Sequence, residues 1–158
     1  MFIVYINDLA NITAFKTCLF ADDTSFTISS RSINELKVTA QKELDLVNNW
    51  MKSNKLTINL SKSEYILLPH KNTDSSEFIL SIGKNVLHRK NSVKYLGVLL
   101  DNSLTWKPHI EYLCTKLSAA SYLLMKLRHY VDLKTLILVY NSIVYSYLQY
   151  SIINWGRA

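Results

Sequence analysis

Cysteine is nearly absent from this chain. The 158 residues hold only Cys18 and Cys114, far apart and in no Cys-x-x-Cys spacing. Neither a disulfide framework nor a zinc site is expected, and a reducing intracellular compartment, nuclear or cytoplasmic, suits the composition. Histidine adds no metal signal: His70, His88, His109 and His129 share no ligand spacing, and each reads as an ordinary structural residue. Three glycines and two prolines leave no low-complexity tract, and no repeat is visible. Met1 is followed by no cationic segment or cleavage pattern, so a secretory signal is not expected. Acids are also scarce, twelve against eighteen Lys and Arg, for a net charge of +6.

What is present argues for a folded chain. Hydrophobic residues make up 49% and charged residues 19%, too apolar for disorder and long enough for one ordinary core. The charge is unevenly spread. Residues 1–50 carry four Lys/Arg and six Asp/Glu, whereas residues 51–158 carry fourteen and six. A basic C-terminal region supplies the sequence-independent attraction to phosphate that nucleic-acid binding needs, although a Lys-rich surface without a partner has the same composition. From Thr135 to Trp155 no residue is charged, a length that could span a bilayer. The Asn, Gln, Ser and Tyr residues inside it make insertion unfavourable, so a helix largely buried against other protein is expected, with no membrane partner.

Periodicity gives an α+β outline. Ile33, Leu36, Ala40, Leu44, Val47 and Met51 recur at helical spacing and predict a helix from about Ile33 to Lys52, with Trp50 at its buried edge. Ser32 and Glu35 have the spacing of a capping box. Short strands are expected at Leu56–Leu60, Tyr65–Leu68, Phe78–Ile82, Val86–Leu87 and Val93–Leu100, with a tight turn at Gly83 and a polar loop at Lys71–Ser76. Pro108 suits a helix start, and Ile110, Leu113, Leu117, Ala120, Leu124 and Leu127 continue that helix. Asp132 caps a second one carrying Leu136, Tyr140, Ile143 and Tyr147, which reads as an antiparallel pair. The boundary falls near Asn102-Ser103.

Phe20-Ala21-Asp22-Asp23 is the segment that points to chemistry. It lies between two β-type runs, Lys16–Phe20 and Thr24–Ser29, so two adjacent carboxylates sit at the tip of a predicted hairpin. Such a pair can hold Mg²⁺ through hard oxygen ligands, although most Asp-Asp pairs on hairpins are only solvated turns. Its surroundings decide between the two. Phe20–Asp23, preceded by Phe2–Leu9 and followed in order by Asn54–Asn59, Lys62-Ser63, Lys94–Val98, Leu104–Ile110 and the stretch up to Gly156, resembles the catalytic core of reverse transcriptases of non-LTR retrotransposons.

That resemblance implies a partial ferredoxin-like polymerase palm, antiparallel strands with a long helix, over residues 1–102, and an α-helical thumb over 103–158. It implies Asp22 as the principal Mg²⁺ ligand with Asp23 as its auxiliary, and Phe20 packed beneath the turn. It places Lys62 near the incoming nucleotide. Lys94, Tyr95, Leu96 and Gly97 match the element that holds a primer terminus, and Trp106 and Lys107 match the approach to the thumb, where Trp106 either stacks on nucleic acid or seats the helix. The implied partners are an RNA template and a DNA primer. The family's upstream catalytic Asp and Gly-rich segment do not occur in these residues. The sequence therefore implies the back half of a catalytic domain, inactive without a missing N-terminal palm and fingers half. The alternative is a noncatalytic nucleic-acid-binding module.

Overall fold

A computed structural model describes residues 2–68 and 77–157. The loop expected at Lys71–Ser76, and His70, lie outside the described residues. The chain divides into two compact units, Met1–Lys90 and Asn91–Ala158.

In the first unit, α1 (Phe2–Ile6) runs into a 3₁₀ turn (Asn7–Asn11), then β1 (Lys16–Phe20), β2 (Asp23–Thr27) and the long α2 (Ile33–Ser53). Short strands follow: β3 (Glu64–Ile66), β4 (Ser81–Ile82), β5 (Asn85–Val86) and β6 (His88–Lys90). The predicted apolar face of α2 is the face that is buried. Ala40, Leu44 and Val47 join Ile6, Leu9, Phe15, Leu67, Phe78, Leu80, Ile82 and Leu87 in one core, with Ile33, Leu36, Trp50 and Met51 packed on its edge. Each large apolar side chain so placed contributes about 1.5–3 kcal/mol. Glu43, on the same helix, is buried too; its Oε2 accepts the Ala14 N–H at 2.7 Å. That bond ties the chain just before β1 to α2.

Several expectations about this unit are corrected. The capping box does not form. Ser32 is the N-cap residue, but its hydroxyl makes no capping bond. Ser30 intervenes, donating to Glu35 Oε2 at 2.5 Å and accepting the Ser32 N–H at 3.5 Å. The Ser30 hydroxyl gives the Glu35 carboxylate a local donor, so the side chain has no need to reach back. Leu56–Leu60 forms no strand; it alternates half-buried and exposed residues without a ladder partner. The same holds for Phe78–Leu80, where only Ser81–Ile82 is paired. The antiparallel ferredoxin-like sheet is not seen as such. Among the described residues the strands of this unit form three separate two-stranded ladders, and β3 pairs with β6 in parallel. These strands are two to five residues long, too short to recruit further neighbours. The architecture is a mixed α+β one of short hairpins and long helices.

In the second unit, β7 (Ser92–Tyr95) and β8 (Val98–Asp101) pair antiparallel, with Tyr95 opposite Val98. The single strand expected at Val93–Leu100 is therefore a hairpin. Leu96 and Gly97 both have positive φ, 45° and 85°, the combination a two-residue type I′ turn requires. Next come α3 (Lys107–Leu127), α4 (Leu133–Tyr140), a π-helical turn (Asn141–Tyr145), α5 (Ser146–Gln149) and α6 (Ile152–Trp155). Pro108 stands in the first turn of α3, and Asp132 caps α4 by accepting the Thr135 N–H at 3.1 Å. The π turn coincides with hydroxyls that bond back to the helix, Ser142 to Leu138 O (2.8 Å) and Ser146 to Ser142 O (2.7 Å), which perturb the regular ladder. The expected burial of the uncharged stretch from Thr135 is not found. No residue of α4, the π turn, α5 or α6 is buried, because α3 offers only one apolar stripe and covers only one side. Among the described residues no helix is long and apolar enough to cross a membrane.

Candidate metal centre and nucleic-acid interface

The acidic hairpin is built as tightly as two residues allow. Phe20 pairs with Asp23 across the ladder, leaving Ala21 and Asp22 as the turn. Ala21 holds φ at 52°, a left-handed conformation that costs a non-glycine residue about 1 kcal/mol. Leu19 and Phe26 face the core, so alternation turns Cys18, Phe20 and Asp23 outward. Phe20 is consequently 61% exposed and does not pack beneath the turn; the period of two, not the chemistry of the ring, fixes its side. Asp22 and Asp23 are both exposed. Among the described residues no group of three or more His, Cys, Asp and Glu side chains converges to hold a metal ion. Two open carboxylates on a turn fit the part of an Mg²⁺ ligand set that a protein with substrate phosphates nearby supplies; they are not a closed site.

Lys62 lies in an exposed turn organised by Asn59, whose carbonyl accepts the Lys62 N–H (3.1 Å) and the Ser63 hydroxyl (2.9 Å). No ion pair joins it to Asp22 or Asp23.

In the second unit three of the remaining sequence-predicted residues, Tyr95, Leu96 and Trp106, line one cleft. Gly97 forms the β7–β8 turn under the Tyr150 ring, whose Oη donates to Leu96 O at 2.5 Å. A Cβ at Gly97 would stand 3.3 Å from Tyr150 Cε1. Tyr95, Leu96, Trp106 and Tyr150, with Asn154 and Ser151, line an open cleft of about 330 Å³. Lys94 is exposed and lies 5.6 Å from the centre of the Tyr112 ring. Trp106 is half-buried, takes a left-handed conformation (φ 61°) and caps α3 with its backbone, while Lys107 opens that helix, exposed.

Two residues that sequence reasoning missed hold this arrangement. Asp101, 7% exposed, gathers the loop into α3. Its Oδ2 accepts from the Thr105 hydroxyl (2.9 Å), the Thr105 N–H (3.0 Å) and the Ser103 N–H (3.3 Å), and its Oδ1 from the Trp106 N–H (2.9 Å). Burial alone pushes its carboxyl up, but these bonds, from Thr105 above all, outweigh it and hold the group below its ordinary 3.8. An Asp followed by Ser and Thr within four residues was the available signal. His109, 1% exposed, accepts the Leu99 N–H on Nδ1 at 3.4 Å and meets the Trp155 ring edge-on at 5.6 Å. Burial pushes it below 6.5, so the neutral ring joins β8 to α3. The expectation that His109 is structural agrees with this, though nothing in its spacing announced a fully buried position.

Comparison with known proteins bears on these elements. The profile of the family described as reverse transcriptase (RNA-dependent DNA polymerase) matches residues 1–100, a span that includes the acidic hairpin, Lys62 and the β7–β8 turn. The probable RNA-directed DNA polymerase from transposon X-element of Drosophila melanogaster is 29% identical over 143 residues. The RNA-directed DNA polymerases from mobile element jockey of Drosophila funebris and of Drosophila melanogaster are equally similar. Each alignment covers 88% of this chain and 15% of the relative, so the chain spans a small part of their length. No solved structure matches. A profile that takes in well over half the chain shows that the chain belongs to the reverse transcriptase family, and the relatives show that it is related to the enzymes of non-LTR retrotransposons.

Proposed function

We propose that these residues are part of an RNA-directed DNA polymerase of a non-LTR retrotransposon, with residues 1–102 as a partial palm and 103–158 as a helical thumb, acting in the cell on an RNA template and a DNA primer. The observation that carries this is the exposed Asp22-Asp23 pair at the tip of a two-residue hairpin inside the family-matched segment. Asp22 and Asp23 are the residues that would hold Mg²⁺, which when bound neutralises charge on the transferring phosphates. The hairpin fixes both carboxylates without a flexible loop, which is what a preorganised site requires. Lys62 offers a cation or proton to phosphate from its turn. Lys94–Gly97, Trp106 and Lys107 hold the primer strand.

Two-metal transfer needs carboxylates from separate strands, and the described residues bring no third acid to the pair. The 158 residues on their own are therefore expected to give no templated extension. Addition of a polypeptide carrying the family's upstream Asp strand and Gly-rich segment should restore primer extension, and Asp22→Asn should abolish it again. Extension by the 158 residues alone, or restored extension that survives Asp22→Asn, would overturn the assignment. A second reading, a noncatalytic nucleic-acid-binding module, draws on the balance of the second unit, seven Lys/Arg against three Asp/Glu. It is favoured if a duplex binds in a salt-sensitive way but no added segment restores extension.

A further inference from the structure

We propose that Tyr112 and Lys116 of α3 complete, with Lys94 of β7, a platform for one phosphodiester stretch of the bound strand. The inference rests on the nucleic-acid reading above. Lys94 Nζ and Lys116 Nζ each lie 5.6 Å from the centre of the same Tyr112 ring. Neither makes an ion pair among the described residues, and both are exposed. Two ammonium groups from separate elements meet at one ring, and an anionic strand lying along that ring is within reach of both.

The ring itself is held still. Tyr112 is half-buried and stacks on His109 at 6.4 Å, and His109 is fixed by the Leu99 N–H and by Trp155. The platform therefore sits on packed elements rather than on a loop, as a strand-binding surface requires. The acids of the unit are not free to compensate. Asp101 is spent on its loop and Asp132 on the cap of α4, which leaves Glu111 as the remaining acid of residues 91–158. Tyr and Lys four apart recur at Tyr122 and Lys126, with Lys126 Nζ 5.4 Å from its ring; among the described residues one cation meets that ring, which makes Lys126 a matched control.

The test is fluorescence anisotropy of the full chain with a labelled RNA–DNA hybrid across a salt series. Lys94→Gln and Lys116→Gln should each lower the slope of log K against log salt by about one, and the double variant by about two. Lys116→Arg should keep the slope, and Lys126→Gln should change it by less than half as much. A double variant with the wild-type slope, or a Lys126→Gln effect equal to that of Lys116→Gln, overturns the platform while the nucleic-acid reading stands. Failure of the unsubstituted chain to bind the hybrid even at low salt overturns both. Unchanged circular dichroism and melting of the Gln variants confirm that a slope change reports contact and not unfolding.

Discussion

Replacing Asp101 should loosen the second unit by more than any other single polar change in it. The carboxylate accepts four hydrogen bonds, three of them at 2.9–3.0 Å, and they hold Leu104 and Trp106 at φ 52° and 61°. Bonds to a charged acceptor are each worth about 1.5–3 kcal/mol, less where the donor can turn to water. Ser103 and Thr105 are exposed and recover part of their loss by hydration. Asp101→Ala should therefore cost about 3–4 kcal/mol and Asp101→Asn about 2, since the amide keeps one acceptor and faces the other donors with its own N–H. For a chain of this length that is a fall in Tm of roughly 6–16 °C for the Ala variant. Urea titration followed by tryptophan fluorescence reads the effect, because Trp106 and Trp155 lie in this unit. Acid gives a second readout. The folded carboxyl lies below its ordinary 3.8, so the unfolded chain takes up the proton first. The contribution is complete above the unfolded value of about 3.9 and is lost as pH falls through the folded one. Wild type and Asp101→Asn should converge near pH 2. A difference under about 0.5 kcal/mol at pH 7, the range of ordinary surface changes, or one that does not shrink on acidification, refutes the reasoning.

Other consequences can be measured in the same way. Glu43→Ala removes a buried carboxylate and leaves the Ala14 N–H without its acceptor; it should cost about 1–2 kcal/mol, because the Ala14 N–H can turn to water, while Glu43→Gln, which keeps an acceptor, should lose less than half of that in the same urea titration. Gly97→Ala puts a Cβ 3.3 Å from the Tyr150 ring at a φ of 85°; it should destabilise the β7–β8 turn by about 1–3 kcal/mol and weaken hybrid binding, whereas Tyr150→Phe, losing only the bond to Leu96 O, should cost about 1. His109 lies below 6.5 when folded, so its contribution is whole above pH 6.5 and falls as pH drops from there towards the folded value; thermal melts between pH 7.5 and 5 should show that slope, and His109→Phe, which removes the proton site, should flatten it.

The helices were legible in the sequence because each has one periodic apolar stripe. The run from Ile33 to Met51 and the run from Ile110 to Leu127 both fall on the faces that are buried; Pro108 marks the start of α3 and Asp132 that of α4. Strands were harder for a stated reason. Val93–Leu100 is apolar enough for one strand, and only the demand for positive φ at Leu96, a leucine, makes it a hairpin; no residue-type rule puts leucine there. The capping box failed because Ser30 competes for Glu35, a contact that spacing rules do not contain. The acidic hairpin was read correctly in position, and the outward face of Phe20 was not, since the role borrowed for the ring ignored the alternation its own strand imposes. Asp101 carried a weak signal, Ser103 and Thr105 close behind it, that was not read, and His109 had none, because it acts by accepting one backbone N–H and spacing does not record that.

The same two residues show how a basic surface can remain basic in a folded unit. Lys and Arg side chains on a small protein are usually answered by nearby carboxylates, and each exposed pair so formed is worth little. Here two of the three acids in residues 91–158 are committed to the backbone, Asp101 to the loop before α3 and Asp132 to the first turn of α4. Their charge is used to fix the path of the chain, and hydrogen bonding keeps both carboxyls below their ordinary value, so they stay ionised while pointing inward or along the helix end. Lys94 and Lys116 are thereby left with an aromatic ring as their common neighbour and no acid. A surface arranged in this way keeps its attraction for phosphate without giving up the acidic caps that its helices need.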